Sequence, residues 1–202
     1  MKKVAIIDYG AGNLLSLQRS LNYSNIKNLI TSDRKQIEKC SHLILPGVGA
    51  FATAINLLKK RKLDQVIKEF SMKEKPILGI CLGMQLLFDK SYEFGEWQGL
   101  NLISGKVKKI NVKNFNLPIV GWYNLNVKKK RNSLNKFNNK NVYLLHTYEC
   151  FPSDKEVIIA HYNLDKHKIT CAVQKKNIIG MQFHPEKSSY DGINILKNFY
   201  NT

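Results

Sequence analysis

The stretch Pro76-Ile77-Leu78-Gly79-Ile80-Cys81-Leu82-Gly83-Met84-Gln85-Leu86-Leu87-Phe88 decides the fold, because an apolar strand leads directly into a helix. Its centre has the form G-x-C-x-G, the thiol counterpart of the nucleophile elbow of hydrolases. A sharp strand-to-helix turn lifts the central side chain out of the sheet, and the flanking glycines remove Cβ atoms that would clash there. We therefore interpret Cys81 as a nucleophile, although a small buried core residue is the usual fate of cysteine.

Segments of strand and helix character alternate around this elbow. Apolar runs predict strands at Val4–Ile7, His42–Leu45 and Pro76–Ile80, and helical spacing predicts helices from Asn13, over Phe51–Phe70 and over Leu82–Phe88. This alternation predicts an α/β fold, an open, largely parallel twisted sheet flanked by helices.

The second half of the chain adds short strands of antiparallel character. They are expected at Lys106–Val112, Val142–His146, Val157–Tyr162, Ile169–Gln174 and Ile178–Phe183, before a last helix at Asp191–Tyr200. The polar stretch Lys128–Lys140 is expected to be a loop. Since no linker or internal repeat interrupts the 202 residues, we expect residues 1–202 to form one domain.

The chain is strongly basic, with a formal net charge of +17. No Asp or Glu occurs between Trp97 and Tyr148, so the excess is greatest there. Such a charge can indicate binding to nucleic acid, but no nucleic-acid motif accompanies it, and a solvated lysine-rich surface is the preferred reading. The basic residues of this region are Lys106, Lys108, Lys109, Lys113, Lys128, Lys129, Lys130, Arg131, Lys136 and Lys140.

The four cysteines indicate reduced thiols, because Cys40, Cys81, Cys150 and Cys171 show neither a CxxC pair nor metal-ligand spacing. This spacing suggests neither a zinc site nor a disulfide framework. Asp8 interrupts the N-terminal apolar run, and no apolar stretch reaches the roughly 18 residues of a membrane helix. These features predict a cytoplasmic protein without membrane contact.

Two further motifs supply what a cysteine nucleophile needs. His184-Pro185-Glu186 follows a strand, and the proline fixes the backbone so that the carboxylate can orient the imidazole toward the thiol. Pro46-Gly47-Val48-Gly49 follows another strand, and its backbone N–H groups can approach an oxyanion. Nucleophile, base and oxyanion donors together predict a thiol hydrolase, and this spacing leaves its substrate open.

The same motifs give the chain a family resemblance. Gly79-Ile80-Cys81-Leu82-Gly83-Met84-Gln85 and His184-Pro185-Glu186-Lys187-Ser188 resemble the signature of class I (triad) glutamine amidotransferases. Ile7-Asp8-Tyr9-Gly10-Ala11-Gly12-Asn13 and Pro46-Gly47-Val48-Gly49-Ala50-Phe51 narrow the resemblance to the glutaminase subunits of imidazole glycerol phosphate synthase, from Lys3 to Phe199. The resemblance implies that Cys81 attacks glutamine to form a γ-glutamyl thioester, while His184 protonates the departing ammonia and then activates water.

The resemblance also implies roles for particular positions. The implied set is Glu186 to orient His184, Gly49 and Leu82 for the oxyanion hole, Gln85, Glu93, His146, Thr147 and Tyr148 for glutamine, and Asn13, Trp122 and Lys187 facing a partner.

The implied partner is a (β/α)₈-barrel cyclase subunit of histidine biosynthesis, which receives the ammonia within a heterodimer. The resemblance implies no metal and no organic cofactor. The family usually reads Pro-His-Met-Gly-Trp-Asn where this chain has Pro118-Ile119-Val120-Gly121-Trp122-Tyr123, and His-Ser-Tyr where it has His146-Thr147-Tyr148. The first departure lies on the docking surface and leaves open a paralogue that supplies ammonia for amidination of a cell-surface sugar. A basic nucleic-acid-binding domain is the alternative from a different class.

Overall fold

The computed structural model of the chain describes residues 2–113, 115–128 and 132–202. The helices are α1 (Leu14–Tyr23), α2 (Arg34–Glu38), α3 (Phe51–Lys60), α4 (Leu63–Met72), α5 (Leu82–Leu86) and α6 (Ser189–Tyr200). The strands are β1 (Val4–Ile7), β2 (Asn28–Thr31), β3 (His42–Leu45), β4 (Ile77–Ile80), β5 (Phe88–Ser91), β6 (Trp97–Gln98), β7 (Ile103–Lys109), β8 (Ile119–Asn124), β9 (Asn126–Val127), β10 (Asn141–His146), β11 (Tyr148–Pro152), β12 (Ile158–Leu164), β13 (His167–Lys175) and β14 (Ile178–Met181).

The main sheet has the strand order β2-β1-β3-β4-β14-β13-β12-β9 in the described part of the chain. Neighbours from β2 to β14 run parallel, and β13, β12 and β9 are added antiparallel. The predicted α/β class, with a largely parallel sheet and antiparallel additions, is confirmed. β4 lies beside β14 with Ile80 opposite Met181, so the segments that follow these two strands start at the same sheet edge.

Helices bury both faces of the parallel strands. Alternate residues of β1 point to opposite sides, so Val4 and Ile6 join one buried cluster while Ala5 and Ile7 join the other. The first cluster includes Leu17 of α1 and side chains of α6, and the second includes the buried faces of α3 and α4. A parallel sheet with both faces covered accounts for strands that are apolar throughout.

Two smaller sheets carry the remaining strands. One has the order β11-β7-β5-β6, and the other pairs β10 with β8 in antiparallel register. The turn after β5 and the junction between β10 and β11 bring further segments to the sheet edge where β4 and β14 end.

Two predicted helices end earlier than expected. The helix predicted over Phe51–Phe70 is two helices, because Lys62 adopts a left-handed conformation with φ of +56° between α3 and α4. The helix predicted over Leu82–Phe88 ends at Leu86, because Phe88 belongs to β5 and pairs with Ile103. The first boundary is a local change of backbone conformation, and the second is set by long-range strand pairing.

The predicted loop Lys128–Lys140 is more ordered than expected in its second part. A short 3-10 helix spans Asn135–Phe137, and Leu134 and Phe137 are buried. Lys129, Lys130 and Arg131, which are part of the predicted loop and of the basic region, lie outside the described residues. Within the described ranges, no helix combines the length and the apolar character needed to cross a membrane.

Candidate active site

Cys81 occupies the strained elbow that the sequence predicted. Its φ of +54° and ψ of −112° are unusual for a non-glycine residue, and its backbone N–H donates to the carbonyl of Met181 at 2.7 Å. The glycines of the elbow are required for space. A Cβ at Gly83 would lie 1.9 Å from the carbonyl oxygen of Leu45, and a Cβ at Gly79 would lie 2.7 Å from the carbonyl oxygen of Gly83. The elbow is therefore packed directly against the end of β3.

His184 and Glu186 form a buried pair beside Cys81. Nδ1 of His184 lies 2.8 Å from Oε1 of Glu186, and the two side chains are 3% and 4% exposed. The His184 backbone N–H donates to the carbonyl of Tyr143 at 2.9 Å, while the Ser188 hydroxyl donates to the His184 carbonyl at 2.6 Å. Because Nδ1 is engaged by the carboxylate, Nε2 is the ring nitrogen left for the sulfur of Cys81.

The surroundings of His184 favour its charged form. Burial lowers the pKa of His184, but the hydrogen bonds to Cys81 and Glu186 and the negative charges of the same two groups outweigh it and raise the pKa to about 10. These contacts therefore favour the imidazolium form of His184 at neutral pH. Burial raises the pKa of Cys40, Cys150 and Cys171, and at Cys40 the charges of Lys3 and Lys75 oppose this effect without cancelling it.

A cavity of about 220 Å³ opens over Cys81 and His184. Every position expected to bind glutamine or the oxyanion lines it: Gly49, Leu82, Gln85, Glu93, His146, Thr147 and Tyr148. Val48, from the glycine-rich turn after β3, also lines it, as do Pro118 and Leu145, which were not anticipated. The participation of Pro118 and Leu145 depends on how the β8–β10 pair packs against the main sheet, and no local pattern in the sequence signals it.

Glu93 presents a carboxylate to this cavity. The residue is buried, and its Oε2 accepts the backbone N–H of Phe51, at the first position of α3, at 2.5 Å. Burial raises the pKa of Glu93, and the hydrogen bond from Phe51 opposes that effect. A buried carboxylate in a cavity is suited to a cationic group of a ligand, because such a group would restore the interactions that burial removes.

His146 is held by two hydrogen bonds within the protein. Its Nδ1 lies 2.8 Å from the Tyr148 carbonyl and its Nε2 lies 3.0 Å from the Tyr162 hydroxyl. A carbonyl only accepts, so Nδ1 carries the proton and Tyr162 donates to Nε2. Burial lowers the pKa of His146 to about 4, so the ring is neutral at physiological pH. Its two bonds fix the backbone around Thr147 and Tyr148.

The glycine-rich turn after β3 lies beside the elbow. Gly49 has a φ of +93° and no atom within 4 Å of the place that a Cβ would occupy, so backbone conformation rather than space favours glycine there. At Gly47 the limit is space, because a Cβ would lie 2.7 Å from the Gly83 nitrogen. The buried Tyr9 donates its hydroxyl to the Pro46 carbonyl at 3.0 Å and anchors the turn. Leu82 is the first residue of α5.

The three positions expected to face a partner lie outside the cavity. Trp122 is 52% exposed and packs edge-on against Tyr143 with ring centroids 5.9 Å apart, and the Lys187 ammonium lies 5.8 Å from the same Tyr143 ring. Asn13 is also exposed, and it borders a small cavity shared with His184 and Glu186. Trp122 and Lys187 therefore belong to one patch, and Asn13 lies near the triad on a different element.

Two contacts to the Cys81 sulfur were missed by the sequence reasoning. The Leu145 carbonyl and the side-chain nitrogen Nε2 of Gln182 each lie 3.7 Å from Sγ. Gln182 lies two residues before the His184-Pro185-Glu186 motif, and this closeness in sequence was the one feature that could have indicated a place near Cys81. Leu145 could only be found from the tertiary structure.

The chain is similar to known proteins along almost its whole length. The family model for glutamine amidotransferase class-I matches residues 5–202. The chain is 42% identical over 197 residues to the imidazole glycerol phosphate synthase subunit HisH of Oceanobacillus iheyensis, covering 97% of each chain. It is 46% identical over 200 residues to the same subunit of Lactococcus lactis subsp. lactis, covering 98% of each chain.

Solved structures support the fold. A crystal structure of a glutamine amidotransferase superposes with a TM-score of 0.77 at 16% identity, covering 97% of this chain and 98% of that one. The structure of PurLQS from Thermotoga maritima gives a TM-score of 0.78 at 18% identity, covering 99% and 98%. From the family model and the close relatives, the chain belongs to the class-I glutamine amidotransferases and, within them, to the family of imidazole glycerol phosphate synthase HisH subunits.

Proposed function

We propose that the chain, acting as one domain, is the glutaminase subunit of an imidazole glycerol phosphate synthase, and that Cys81, His184 and Glu186 are its catalytic triad. The observation that carries the proposal is the buried His184–Glu186 pair, 2.8 Å between Nδ1 and Oε1, beside a cysteine that lines the same cavity. The relatives of 42% and 46% identity bear the name of that subunit and support this choice over the sugar-amidinating paralogue and the nucleic-acid-binding domain.

The first half of the reaction uses the thiolate–imidazolium pair. The sulfur of Cys81 attacks the side-chain amide carbon of glutamine, and the carbonyl electrons move to oxygen. The Nε2–H of His184 then protonates the amide nitrogen as the C–N bond breaks. Ammonia leaves, and a γ-glutamyl thioester remains on Cys81. The high pKa of His184 before attack keeps the required proton on the ring.

The second half needs the opposite protonation state of His184. Once sulfur carries the acyl group it has no charge, so the contributions of Cys81 to the raised pKa of His184 disappear. The neutral ring accepts a proton from a water molecule that attacks the thioester, the C–S bond breaks, and glutamate and the thiolate are formed. Glu186 remains bonded to Nδ1 throughout and keeps Nε2 directed at the reacting atoms.

Oxyanion stabilisation is assigned to the backbone N–H groups of Gly49 and Leu82. Both residues line the cavity with Cys81, and they come from the two segments that the elbow packs together. Backbone donors placed before the reaction stabilise the developing charge without reorganisation. In α5, which has only five residues, these local hydrogen bonds outweigh any contribution of the helix dipole.

Glutamine recognition is assigned to the remaining cavity residues. Glu93 is suited to the α-ammonium group, because its carboxylate is buried and faces the cavity. Nε2 of Gln85 donates to the Tyr148 carbonyl and to Gln182, at 3.3 and 3.1 Å, which leaves its Oε1 for the amino-acid end of the substrate. His146 positions Thr147 and Tyr148 through its two internal bonds.

The partner is proposed to be the (β/α)₈-barrel cyclase subunit, which would receive the ammonia. Val48 and Leu145, which line the cavity, are exposed apolar side chains. Val120, opposite Leu145 in the β8–β10 pair, and Trp122, two residues further along β8, are exposed as well. Exposed apolar groups concentrated around an active site favour burial by another protein. Asn13 and Lys187 would add polar contacts at the edge of this surface.

The experiment compares Cys81→Ala with Cys40→Ser in the complex with the cyclase subunit. Cys81→Ala is expected to abolish synthesis from glutamine and to preserve synthesis from added ammonium salt, because only the ammonia source is lost. Cys40 lies away from the cavity and bonds the Gln36 carbonyl, a contact that serine retains, so Cys40→Ser should keep both activities. Glutamine-dependent synthesis by Cys81→Ala would refute the proposed nucleophile.

A further inference from the structure

Gln182 is a buried polar residue that the proposed triad mechanism does not use. It follows β14, its side chain is fully buried, and its backbone N–H donates to the Cys171 carbonyl at 2.8 Å. Its side-chain amide lies between the Cys81 sulfur and the Gln85 side chain. A buried amide at this place must direct either a donor or an acceptor at the sulfur, and the two choices have opposite effects on a thiolate.

The hydrogen bonds of Gln85 decide between these choices. The Tyr148 backbone carbonyl is only an acceptor, so the Gln85 group 3.3 Å from it must be the amide nitrogen Nε2. The same nitrogen lies 3.1 Å from Gln182, and a donor there requires the Gln182 oxygen to face it. The Gln182 nitrogen is then directed at Sγ of Cys81, 3.7 Å away. A fixed backbone carbonyl thus sets the orientation of both amides.

We propose that Gln182 donates its side-chain N–H to the Cys81 sulfur and stabilises the thiolate, as a catalytic residue of the glutaminase reaction. The inference rests on the proposed function of Cys81 as the nucleophile. An N–H donor stabilises an anionic sulfur and contributes little to a neutral one, so it shifts the equilibrium from thiol to thiolate.

The contacts of the sulfur differ between its two protonation states. A protonated thiol can donate to the Leu145 carbonyl, 3.7 Å from Sγ. The thiolate cannot donate, and it is instead surrounded by the donors of Gln182 and His184. Gln182 carries no titratable proton, so its donor stays in place while the sulfur is an uncharged thioester. It stabilises the thiolate again when the thioester is hydrolysed.

The test measures alkylation of Cys81 by iodoacetamide in the intact chain from pH 5 to 10, with the modified cysteine located by mass spectrometry. Gln182→Met keeps a side chain of similar length without a donor. The midpoint of the rate profile is expected to rise by about one pH unit, corresponding to one lost hydrogen bond to a charged group. At pH values well below the midpoint, the rate should fall by only about three- to fourfold, because a more basic thiolate is intrinsically more reactive.

Gln182→Glu provides a second variant of the same shape. It retains an oxygen to accept the N–H of Gln85 but places a carboxylate near the sulfur, so the midpoint should rise further than in Gln182→Met. If Gln182→Met does not fold, the midpoint of Gln182→Glu alone tests the inference. The control is Gln98→Met on the exposed strand β6, which should leave the midpoint unchanged.

An unchanged midpoint in the folded Gln182 variants would overturn the inference. This readout is independent of glutamine turnover. Glutamine-dependent synthesis by Cys81→Ala would instead refute the proposed function, so the two failures are distinguishable. A merely structural role for Gln182 would lower stability without moving the alkylation midpoint.

Discussion

Replacing Glu186 by glutamine removes the charge of the His184 partner while keeping its shape. The carboxylate oxygen lies 2.8 Å from Nδ1 of His184, and the two side chains are only 4% and 3% exposed, so solvent screens the pair weakly. A hydrogen bond to a charged group contributes about 1.5–3 kcal/mol, compared with about 0.5–1.5 kcal/mol for a neutral one. The expected loss of imidazolium stabilisation is therefore roughly 1–2 kcal/mol, which corresponds to roughly a 5- to 30-fold lower rate.

The same loss lowers the pKa of His184 by about one unit. In the folded protein the pKa of His184 is raised to about 10, compared with about 6.5 for a histidine in the unfolded chain. The stabilisation that the charged ring contributes is therefore fully present below about pH 6.5 and is lost as the pH rises toward 10. With the weaker partner, the loss occurs at lower pH. The alkaline limb of glutaminase activity should therefore move to lower pH by about one unit.

The assay follows glutamate release by the complex at saturating glutamine between pH 6 and 10. Glu149→Gln is the matched control. Glu149 is also a buried carboxylate and accepts the backbone N–H of Thr170 at 2.8 Å, but it does not belong to the triad. The control variant should not move the alkaline limb. The assignment of Glu186 would be refuted by a folded Glu186→Gln variant whose rate of glutamate release is within twofold of the parent rate and whose alkaline limb lies at the parent pH.

The remaining predictions concern substrate binding, the elbow and acid stability. Glu93→Gln should raise the KM for glutamine about 10- to 100-fold with a smaller effect on kcat, because it removes the buried charge proposed for the α-ammonium group, and steady-state kinetics measure this. Gly83→Ala should destabilise the fold by more than about 3 kcal/mol in urea unfolding, because its Cβ would lie 1.9 Å from the Leu45 carbonyl oxygen. Burial and the charge of Lys2 lower the pKa of His42 to about 4, so stability present above about pH 6.5 should be lost as pH falls toward 4, and His42→Phe should reduce this loss in thermal unfolding.

Each of these outcomes has a result that would contradict it. An unchanged KM in Glu93→Gln would remove Glu93 from the substrate site. A Gly83→Ala variant as stable as the parent would show that the elbow can move away from β3. If His42→Phe is as sensitive to acid as the parent, the loss of stability at low pH comes from other groups. His146 is the first of these to test, because its pKa is also lowered to about 4.

Much of the parallel half of the fold could be predicted from the sequence. The apolar strands β1, β3 and β4 were expected within one residue of their ends, because fully buried strands are apolar throughout. Six strands in the described part of the chain were not predicted: β2, β5, β6, β8, β9 and β11. For β5 and β8 the reason can be read from the sequence. Phe88 reads as part of the preceding helix, and the apolar run at Ile119–Val120 is followed by glycine, so neither sequence carries a clear period.

The elbow was determined by the sequence alone, since G-x-C-x-G between a strand and a helix is a local pattern, and Gly79 is required by the Gly83 carbonyl only four residues later. Gly83, in contrast, is required by the Leu45 carbonyl at the end of β3, which only the tertiary structure brings close. The meeting of Cys81 with His184, about a hundred residues later in the chain, depends on β4 pairing with β14, which only the tertiary structure decides. The donor that Gln182 presents to the sulfur also depends on the Tyr148 carbonyl, which a different sheet supplies. Such contacts join strands remote in sequence, and their geometry arises from packing that no local residue pattern encodes.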